Sequence, residues 1–417
     1  MKRLIFYYDV VCPYAYLAST RIEALARRAG IELEWEPILL GGVYRALGSP
    51  DRPSSAMPAA KMRLGALDLQ RFAALYGVPL SFPAEHPRRT VEAMRLCHAV
   101  SGPDRVRLTH ALYRAYFREH RDISDRAVLA DICESLGLPR ALAEARLDDA
   151  DLKDALRAAT DRAVADGVFG VPGMVIVRGE SRTLFWGQDR LHLVEAALSD
   201  GARPTLLPAL APSRPGGELD FFYDFSSPYA YLASTQIERV AEARGAQVRF
   251  RPFLLGALFK AIGTPVVPIQ AASEPKRRYL ARDATDWASW WKVPFSWPSR
   301  FPMRTVLPLR LVLAVDESLR PALTHAIFRA YWSSDRDISD PSVLAELVKE
   351  VGADPAALAR AESDPAPKAA LFSATDEAVK LGICGAPTFV VRGQLFWGQD
   401  RLELVDHALA GWEPPGL

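Results

Sequence analysis

The chain has 417 residues, of which 49% are apolar, and its charges nearly balance, with 51 Lys plus Arg against 50 Asp plus Glu. This length exceeds one ordinary hydrophobic core and predicts two or three domains, while the near-neutral charge argues against a nucleic-acid partner. No run reaches the about 18 apolar residues that a membrane span needs, so no membrane partner is expected.

The first half begins with a predicted strand, helix and strand. LIFYY is a short β-rich run, PYAYLASTRIEALARRAG is an amphipathic helix with proline in its first turn and glycine at its end, and IELEWEPIL alternates as a strand. A long stretch with helical spacing follows, and GVPGMVIVRGESRTLFWG then predicts two strands joined by a turn, before a last helix. This order predicts a thioredoxin-like frame interrupted by an all-helical insertion.

The second half of the chain repeats the first. Adding 215 to a residue number pairs Pro13 with Pro228 and Pro172 with Pro387, and the segment LFWGQDRL occurs unchanged in both halves. A repeat of this length indicates tandem domains and not a solenoid. The predicted fold class is therefore α/β, with two tandem thioredoxin-like domains that each carry an all-helical insertion.

The repeat also sets the predicted domain boundaries. We predict a first domain at residues 1–200 with its insertion at about 40–150, and a second at 219–417 with its insertion at about 255–365. The segment between them, 201–218, is rich in Pro, Gly and Ala, which is typical of a linker.

The two halves differ at the residue before the shared proline, which is Cys12 in the first and Ser227 in the second. Each residue would lie at a helix N-terminus, where free N–H groups and the helix dipole stabilise an anion. For Cys12 this predicts a lowered pKa and a thiolate, and for Ser227 a hydroxyl that orients a thiolate brought by a ligand. Ala15 and Ala230 stand where a C-x-x-C motif would need its second cysteine, which excludes internal dithiol exchange.

A second recurrent signal is a proline that follows small residues and begins a strand, in GVFGVPGMV and GICGAPTFV. Pro172 and Pro387 are therefore candidates for cis peptide bonds. In a thioredoxin-like frame such a proline lies opposite the nucleophile. The backbone of the preceding residue, Val171 or Ala386, would then pair with a bound cysteinyl peptide.

The WGQDR turn offers polar side chains at a helix start: Gln188 and Asp189 in the first half, and Gln399 and Asp400 in the second. A carboxylate at this place can meet an α-ammonium group. The alternative interpretation is a simple helix N-cap.

The remaining cysteines are expected to serve packing. Cys97 and Cys133 lie on apolar helical faces. Cys384 stands beside the second proline loop, where packing is favoured over an approach to Ser227. Scattered cysteines without a disulfide pattern indicate a reducing, cytoplasmic location, and the histidines show no metal-ligand spacing, so no metal site is expected.

Taken together, these motifs resemble the 2-hydroxychromene-2-carboxylate isomerase and kappa-class glutathione transferase family, a glutathione-using branch related to DsbA-type proteins. The likeness spans nearly all of the second half and almost as much of the first. The matching segments are FFYDFSSPYAYLAS, PKRRYLARDATDW, VPFSWP, RAYWSSDRDISD, GICGAPTFVV and LFWGQDRL.

The resemblance implies a dimer and a serine, Ser227 by position, that interacts with the sulfur of reduced glutathione; Cys12 departs from this pattern. It also implies glutathione-binding residues in both halves. In the second half these are Ala386, Pro387, Gln399, Asp400 and Lys276. Their counterparts in the first half are Val171, Pro172, Gln188, Asp189 and Lys61.

The expected function is that of a glutathione-dependent isomerase acting on an aromatic 2-oxo acid or a hydroxychromene-carboxylate-like substrate, or of a transferase of the same family. Glutathione would add to a conjugated double bond and leave again, as a recycled covalent catalyst. Lys276 and Arg304 are candidates for the substrate carboxylate. Two alternatives stay open: a monothiol reductase or deglutathionylase that uses Cys12, and a non-catalytic glutathione-binding module.

The duplication also suggests how the chain assembles. Because the family is dimeric and this chain carries two copies, its halves are predicted to form an internal pseudo-dimer.

Overall fold

The computed structural model describes residues 2–50, 57–199 and 217–414. Each repeat forms a four-stranded sheet with helices around it, which confirms the predicted α/β fold of two thioredoxin-like domains with helical insertions. The predicted linker lies outside the described residues, except for its last two, which belong to the first strand of the second repeat. Among the described helices, none is both long and apolar enough to cross a membrane.

The first repeat follows the predicted order, and its insertion is the run of helices between the second and third strands. Its elements are β1 (Lys2–Tyr8), α1 (Pro13–Ala29), β2 (Glu32–Pro37), α2 (Leu40–Ala46), α3 (Ala59–Leu75), α4 (Val91–His98), α5 (Gly102–Phe117), α6 (Arg126–Ser135), α7 (Ala141–Glu144), α8 (Ala150–Ala165), β3 (Gly173–Arg178), β4 (Ser181–Trp186) and α9 (Leu191–Leu198).

The second repeat has the same order, with a shorter hairpin where the sequence loses residues. Its elements are β5 (Gly217–Tyr223), α10 (Pro228–Glu242), β6 (Ala246–Pro252), α11 (Leu255–Ala261), α12 (Glu274–Trp291), α13 (Val306–Ala314), α14 (Arg320–Trp332), α15 (Pro341–Glu350), α16 (Ala356–Ser363), α17 (Pro365–Leu381), β7 (Thr388–Val391), β8 (Gln394–Trp397) and α18 (Leu402–Leu409).

The two sheets share one topology. The strand orders are β2-β1-β3-β4 and β6-β5-β7-β8, with the first strand of each repeat parallel to the second and antiparallel to the third. Phe6 lies opposite Trp35 in the first sheet, and Phe221 lies opposite Phe250 in the second. These aromatic pairs are buried, so each sheet has its own apolar core.

The chain divides into two compact units, and each unit includes a short segment of the other repeat. The first unit comprises Met1–Pro53, Leu69–Leu206 and Ser273–Tyr279. The second comprises Ser54–Asp68, Leu207–Ala272 and Leu280–Leu417. Helix α12 thus begins in the unit that holds the first repeat's sheet, and helix α3 begins in the unit that holds the second repeat's sheet.

Candidate active site

A buried aspartate directly follows the first strand of each repeat and accepts a hydrogen bond from the start of the insertion. The Oδ2 atom of Asp9 accepts the backbone N–H of Leu40 at 2.9 Å, and that of Asp224 accepts the N–H of Leu255 at 2.8 Å. Burial raises the pKa of Asp9 to about 6 and also raises the pKa of Asp224. Both carboxylates therefore join the end of the strand to the start of the insertion.

Cys12 and Ser227 each precede a helix and point at the same place in their respective units. The Ser227 hydroxyl donates to the carbonyl oxygen of Ala386 at 2.8 Å and accepts the N–H of Ala230 at 3.2 Å. The Cys12 thiol donates to the carbonyl oxygen of Val171 at 3.2 Å. Both side chains are thus brought against the loop that the sequence predicts to face them.

The peptide bonds before both predicted prolines are cis, namely Val171–Pro172 and Ala386–Pro387. The carbonyl oxygen of each proline accepts a backbone N–H from the WGQDR turn, from Gly187 at 3.1 Å in the first unit and from Gly398 at 2.9 Å in the second. In each unit, therefore, Cys12 or Ser227, the cis proline and the WGQDR turn lie together.

A tryptophan forms a wall of each proline loop, and a glycine makes room for it. A Cβ atom on Gly385 would lie 2.5 Å from Nε1 of Trp397, and one on Gly170 would lie 2.9 Å from Nε1 of Trp186. Distances this short are below any normal contact, so only glycine permits the indole to lie there.

The two glutamines of the WGQDR turns are both buried, with 2% exposure for Gln188 and 3% for Gln399, but their surroundings differ. In the first unit the hydroxyl of Tyr76 donates to Oε1 of Gln188 at 3.0 Å. The second repeat has Trp291 at the position of Tyr76, and Nε2 of Gln399 has no hydrogen-bond partner among the described residues. A buried donor without a partner costs free energy of folding. A bound ligand that accepts a hydrogen bond from such a donor would remove that cost.

The aspartates of the same turns form ion pairs with the arginine that follows them. Asp400 pairs with Arg401 at 3.0 Å, and Arg401 also pairs with Asp68 at 2.7 Å. Asp189 pairs with Arg190 at 3.2 Å. In the second unit two carboxylates thus contact one guanidinium.

Each of the two predicted lysines lies in the unit of the other repeat, whereas the sequence assigned each lysine to the site of its own repeat. Lys61, from the first repeat, has its Nζ atom 5.3 Å from the ring centre of Trp397. Lys276, from the second repeat, has its Nζ atom 5.2 Å from the ring centre of Trp186 and 5.9 Å from that of Phe169. The reason is that α3 and α12 begin in the unit of the other repeat.

The prediction of a standing Cys12 thiolate is wrong. The Cys12 residue is only 8% exposed, and burial raises the pKa of its thiol to about 12. The N–H groups of Tyr14 and Ala15 favour the thiolate, but they do not offset the lost hydration, and the carboxylate of Asp9 opposes a second negative charge. At neutral pH the thiol is therefore protonated.

The other cysteines pack as predicted. Cys97 and Cys133 are fully buried in helices of the first insertion. Cys384 is buried in an apolar cluster with residues such as Leu64 and Leu395. Burial raises the pKa of Cys384 to about 12, as expected for a structural thiol.

Arg304, a candidate for the substrate carboxylate, has an exposed side chain.

Two pairs of residues that build the site are not among those singled out from sequence: the aspartates that follow β1 and β5, and the tryptophans that end β4 and β8. Their signal was present, because YD and FWG occur in both halves.

Comparison with known proteins identifies the kind of domain. A family model described as a DSBA-like thioredoxin domain matches residues 3–199 and 218–410. The 2-hydroxychromene-2-carboxylate isomerase of Sphingobium xenophagum is 28% identical over 191 residues, which cover 46% of this chain and 97% of the relative. Glutathione S-transferase kappa 1 of Rattus norvegicus is 29% identical over 206 residues, which cover 46% of this chain and 89% of the relative.

Among solved structures, a 2-hydroxychromene-2-carboxylate isomerase superposes with a TM-score of 0.41 at 27% identity, covering 47% of this chain and 93% of that chain. Each of these proteins therefore corresponds to about one half of the chain.

Proposed function

The chain belongs to the DSBA-like thioredoxin domain family in both of its repeats, and from that premise we propose that it is a glutathione-dependent enzyme of the isomerase and transferase kind. The specific activity that we propose is isomerisation of an aromatic 2-oxo acid, with the working site at Ser227. The curated relatives include isomerases and glutathione transferases, which supports this reaction class.

The observation that carries the proposal is the environment of the Ser227 hydroxyl. It accepts the N–H of Ala230 at the start of α10 and donates to Ala386, the residue before the cis proline. Rotation about the Cα–Cβ bond and the C–O bond can turn this donor from the carbonyl oxygen to a ligand sulfur without any movement of the backbone.

The residues around Ser227 fit glutathione in charge and hydrogen bonding. Gln399 offers a buried Nε2 donor that has no hydrogen-bond partner among the described residues, and Asp400 offers a carboxylate. These two would hold the γ-glutamyl end, with its carboxylate and ammonium groups, while the backbone of Ala386 would pair with the cysteinyl residue. When bound, glutathione supplies a thiol that adds reversibly to a conjugated double bond.

The contribution of this chain is then mainly electrostatic. A hydrogen bond from Ser227 and the positive end of the α10 helix dipole favour a thiolate over a thiol, so they lower the pKa of a sulfur held there. The indole of Trp397 packs against Gly385 of the proline loop. The protein thus orients and ionises the sulfur without forming a covalent bond of its own.

The alternative of a reductase at Cys12 has less support. Such an enzyme attacks a disulfide with a thiolate, and a Cys12 pKa of about 12 leaves little thiolate at neutral pH. We therefore assign the first unit a binding or supporting role in this proposal.

Calorimetric titration of reduced glutathione tests the proposal. Ser227→Ala is expected to weaken binding at one site by about tenfold or more, because it removes the hydrogen bond to the sulfur. Ser234→Ala is the matched control, since Ser234 lies on the same helix and donates to the carbonyl oxygen of Tyr231 at 2.7 Å. Equal effects of the two substitutions, or no binding by the unsubstituted protein, would overturn the proposed site.

A second measurement separates an enzyme from a binding module. The absorbance of a hydroxychromene carboxylate is followed with and without glutathione, and the proposal expects turnover only when both protein and glutathione are present. Binding without turnover of this substrate or of transferase substrates would support the module instead.

The internal pseudo-dimer stays a prediction. It expects a solution mass near the 46.0 kDa of one chain.

A further inference from the structure

Lys61 and Lys276 are equivalent residues of the two repeats, and each lies against the tryptophan of the opposite repeat. Lys61 is in one compact unit with Trp397, and Lys276 is in one compact unit with Trp186. A lysine at this position thus does not share a unit with the sheet of its own repeat.

We propose that each lysine supplies the carboxylate-binding charge for the site of the opposite repeat. In this arrangement the Ser227 site uses Lys61, and the Cys12 site uses Lys276, so neither repeat encodes a complete site. The inference rests on the proposed glutathione function and adds the source of the positive charge.

A short series of contacts connects Lys61 with the Ser227 hydroxyl. The ammonium group lies 5.3 Å from the centre of the Trp397 ring, within the range of a cation–π contact. The indole lies directly against Gly385. The next residue, Ala386, accepts the hydrogen bond of Ser227 at 2.8 Å. One indole ring therefore lies between the lysine and the loop whose Ala386 carbonyl oxygen accepts the Ser227 hydrogen bond.

The charge of Lys61 also reaches the proline loop. The pKa of Cys384, two residues before Ala386, is raised by burial and lowered by the ammonium group of Lys61. This effect agrees with the cation–π contact in placing a positive charge beside the loop of the second repeat.

In the first unit, a tyrosine of the segment that carries Lys276 is hydrogen-bonded to the last residue of β4. The hydroxyl of Tyr279 accepts the N–H of Trp186 at 3.1 Å and donates to its carbonyl oxygen at 3.3 Å. The ring of Tyr279 also lies 5.4 Å from that of Phe169. Lys276 stands one helical turn from this anchor, which holds its ammonium group over the two aromatic rings of the loop.

Sequence differences between the repeats agree with the crossed arrangement. The equivalent of Tyr279 is Leu64, and the equivalent of Phe169 is Cys384. In the crossed arrangement an aromatic residue meets an aromatic residue in the first unit, and Leu64 shares an apolar cluster with Cys384 in the second. Each helix start therefore matches the loop of the other repeat in size and polarity.

The ligand group that a half-buried ammonium recognises at such a place is a carboxylate. Both glutathione and an aromatic oxo acid carry one. Titration of glutathione and of its glycine monoethyl ester distinguishes the two sources. If the lysine binds the glycine carboxylate of glutathione, substituting the lysine weakens the binding of glutathione but not that of the ester. If the lysine effect persists with the ester, it is measured instead on the KM of the oxo acid.

The test measures each site separately in the full chain. With Cys12→Ala, which leaves the Ser227 site, Lys61→Gln is expected to weaken glutathione binding about tenfold, or to raise the KM of the acid by that factor. Lys276→Gln is expected to have an effect at least about fivefold smaller. With Ser227→Ala the order should reverse. Lys260→Gln, at an exposed lysine of α11, controls for the loss of one charge.

Amide hydrogen exchange of the ligand-free protein tests the crossed packing of the two lysines independently of the proposed function. Lys61→Gln should speed exchange in residues 382–398, and Lys276→Gln in residues 168–187. Exchange that changes in the substituted lysine's own repeat, or binding effects in the uncrossed order, would overturn the inference. If the unsubstituted protein binds no glutathione and turns over no acid, the proposed function and the ligand role of the lysines both fall, while the exchange pattern still decides the crossed packing.

Discussion

The thiol of Cys12 donates to the carbonyl oxygen of Val171 at 3.2 Å, and the hydroxyl of Ser227 makes the matching bond to Ala386 at 2.8 Å. The two repeats thus keep one geometry for a donor that faces a cis-proline loop. Only the atom that carries the proton changes. The first site consequently presents a protonated thiol, and the second presents a hydroxyl.

We first predict that Cys12 reacts slowly with iodoacetamide. Its pKa of about 12 leaves a small thiolate fraction at neutral pH, so the rate at pH 7 should lie about a hundredfold or more below that of an ordinary cysteine. The rate should continue to rise with pH beyond 10. Peptide mass spectrometry follows the residue, and the same protein unfolded in guanidinium chloride is the control. A rate that levels off below pH 8 would contradict the buried, protonated thiol.

The second prediction concerns Asp9, whose pKa burial raises to about 6. The folded protein therefore binds this proton more tightly than the unfolded chain, where the pKa is about 3.9. This contribution to stability is complete below about pH 3.9 and is lost as the pH rises through about 6.

Urea unfolding at pH 4.5 and 7.5 measures this effect. Relative to Asp9→Asn, the wild type should gain about 2 kcal/mol in unfolding free energy on going from pH 7.5 to 4.5. The pKa of Asp224 is also raised by burial, so Asp224→Asn should show a difference of the same sign. A gap between wild type and variant that does not change with pH would show that Asp9 titrates normally.

Much of the fold followed from local sequence signals, and these were confirmed. Pro13 begins α1, and Gly30 ends it with a φ of 63°, as the rules for helix ends expect. The cis peptide bonds at Pro172 and Pro387 were suggested by small residues before a strand. Such features depend on a few neighbouring residues, so a single sequence reveals them.

The features that sequence missed depend on contacts far along the chain. A helix N-terminus predicts a low thiol pKa for Cys12, but its burial comes from the whole unit, and burial dominates. The residues around Lys61 do not indicate that this segment packs beside Trp397, because the repeat is compatible with packing against Trp186 or against Trp397. A hydrophobic pattern shows that a surface is covered without showing which segment covers it.

Our third prediction is that Gly385→Ala disturbs the second site. The new Cβ atom would lie 2.5 Å from Nε1 of Trp397, so the indole must move. Overpacking of this kind costs about 1–3 kcal/mol of stability. Gly256→Ala is the matched control in the same unit, since its Cβ atom would have an ordinary 3.8 Å contact with Val266 and α11 should gain about 0.5 kcal/mol. Urea unfolding of both variants checks this, and equal stabilities would contradict the close approach.

The last prediction uses Gln399, whose Nε2 atom has no hydrogen-bond partner among the described residues. Gln399→Met removes a buried donor that is costly in the ligand-free protein and keeps the volume of the side chain, so the free energy of unfolding should rise by about 1 kcal/mol. The same substitution should weaken glutathione binding about tenfold. Stability and affinity then change in opposite directions, which is the mark of a residue kept for a ligand.

Gln188→Met in the first unit gives the comparison. Here the hydroxyl of Tyr76 donates to the amide oxygen, so the substitution removes an acceptor and should lower the free energy of unfolding by about 1–3 kcal/mol. Urea unfolding and calorimetry of the two variants therefore have opposite expected signs for stability. If Gln399→Met proves as destabilising as Gln188→Met, then Gln399 is held by the fold, and the case for a ligand at its amide fails.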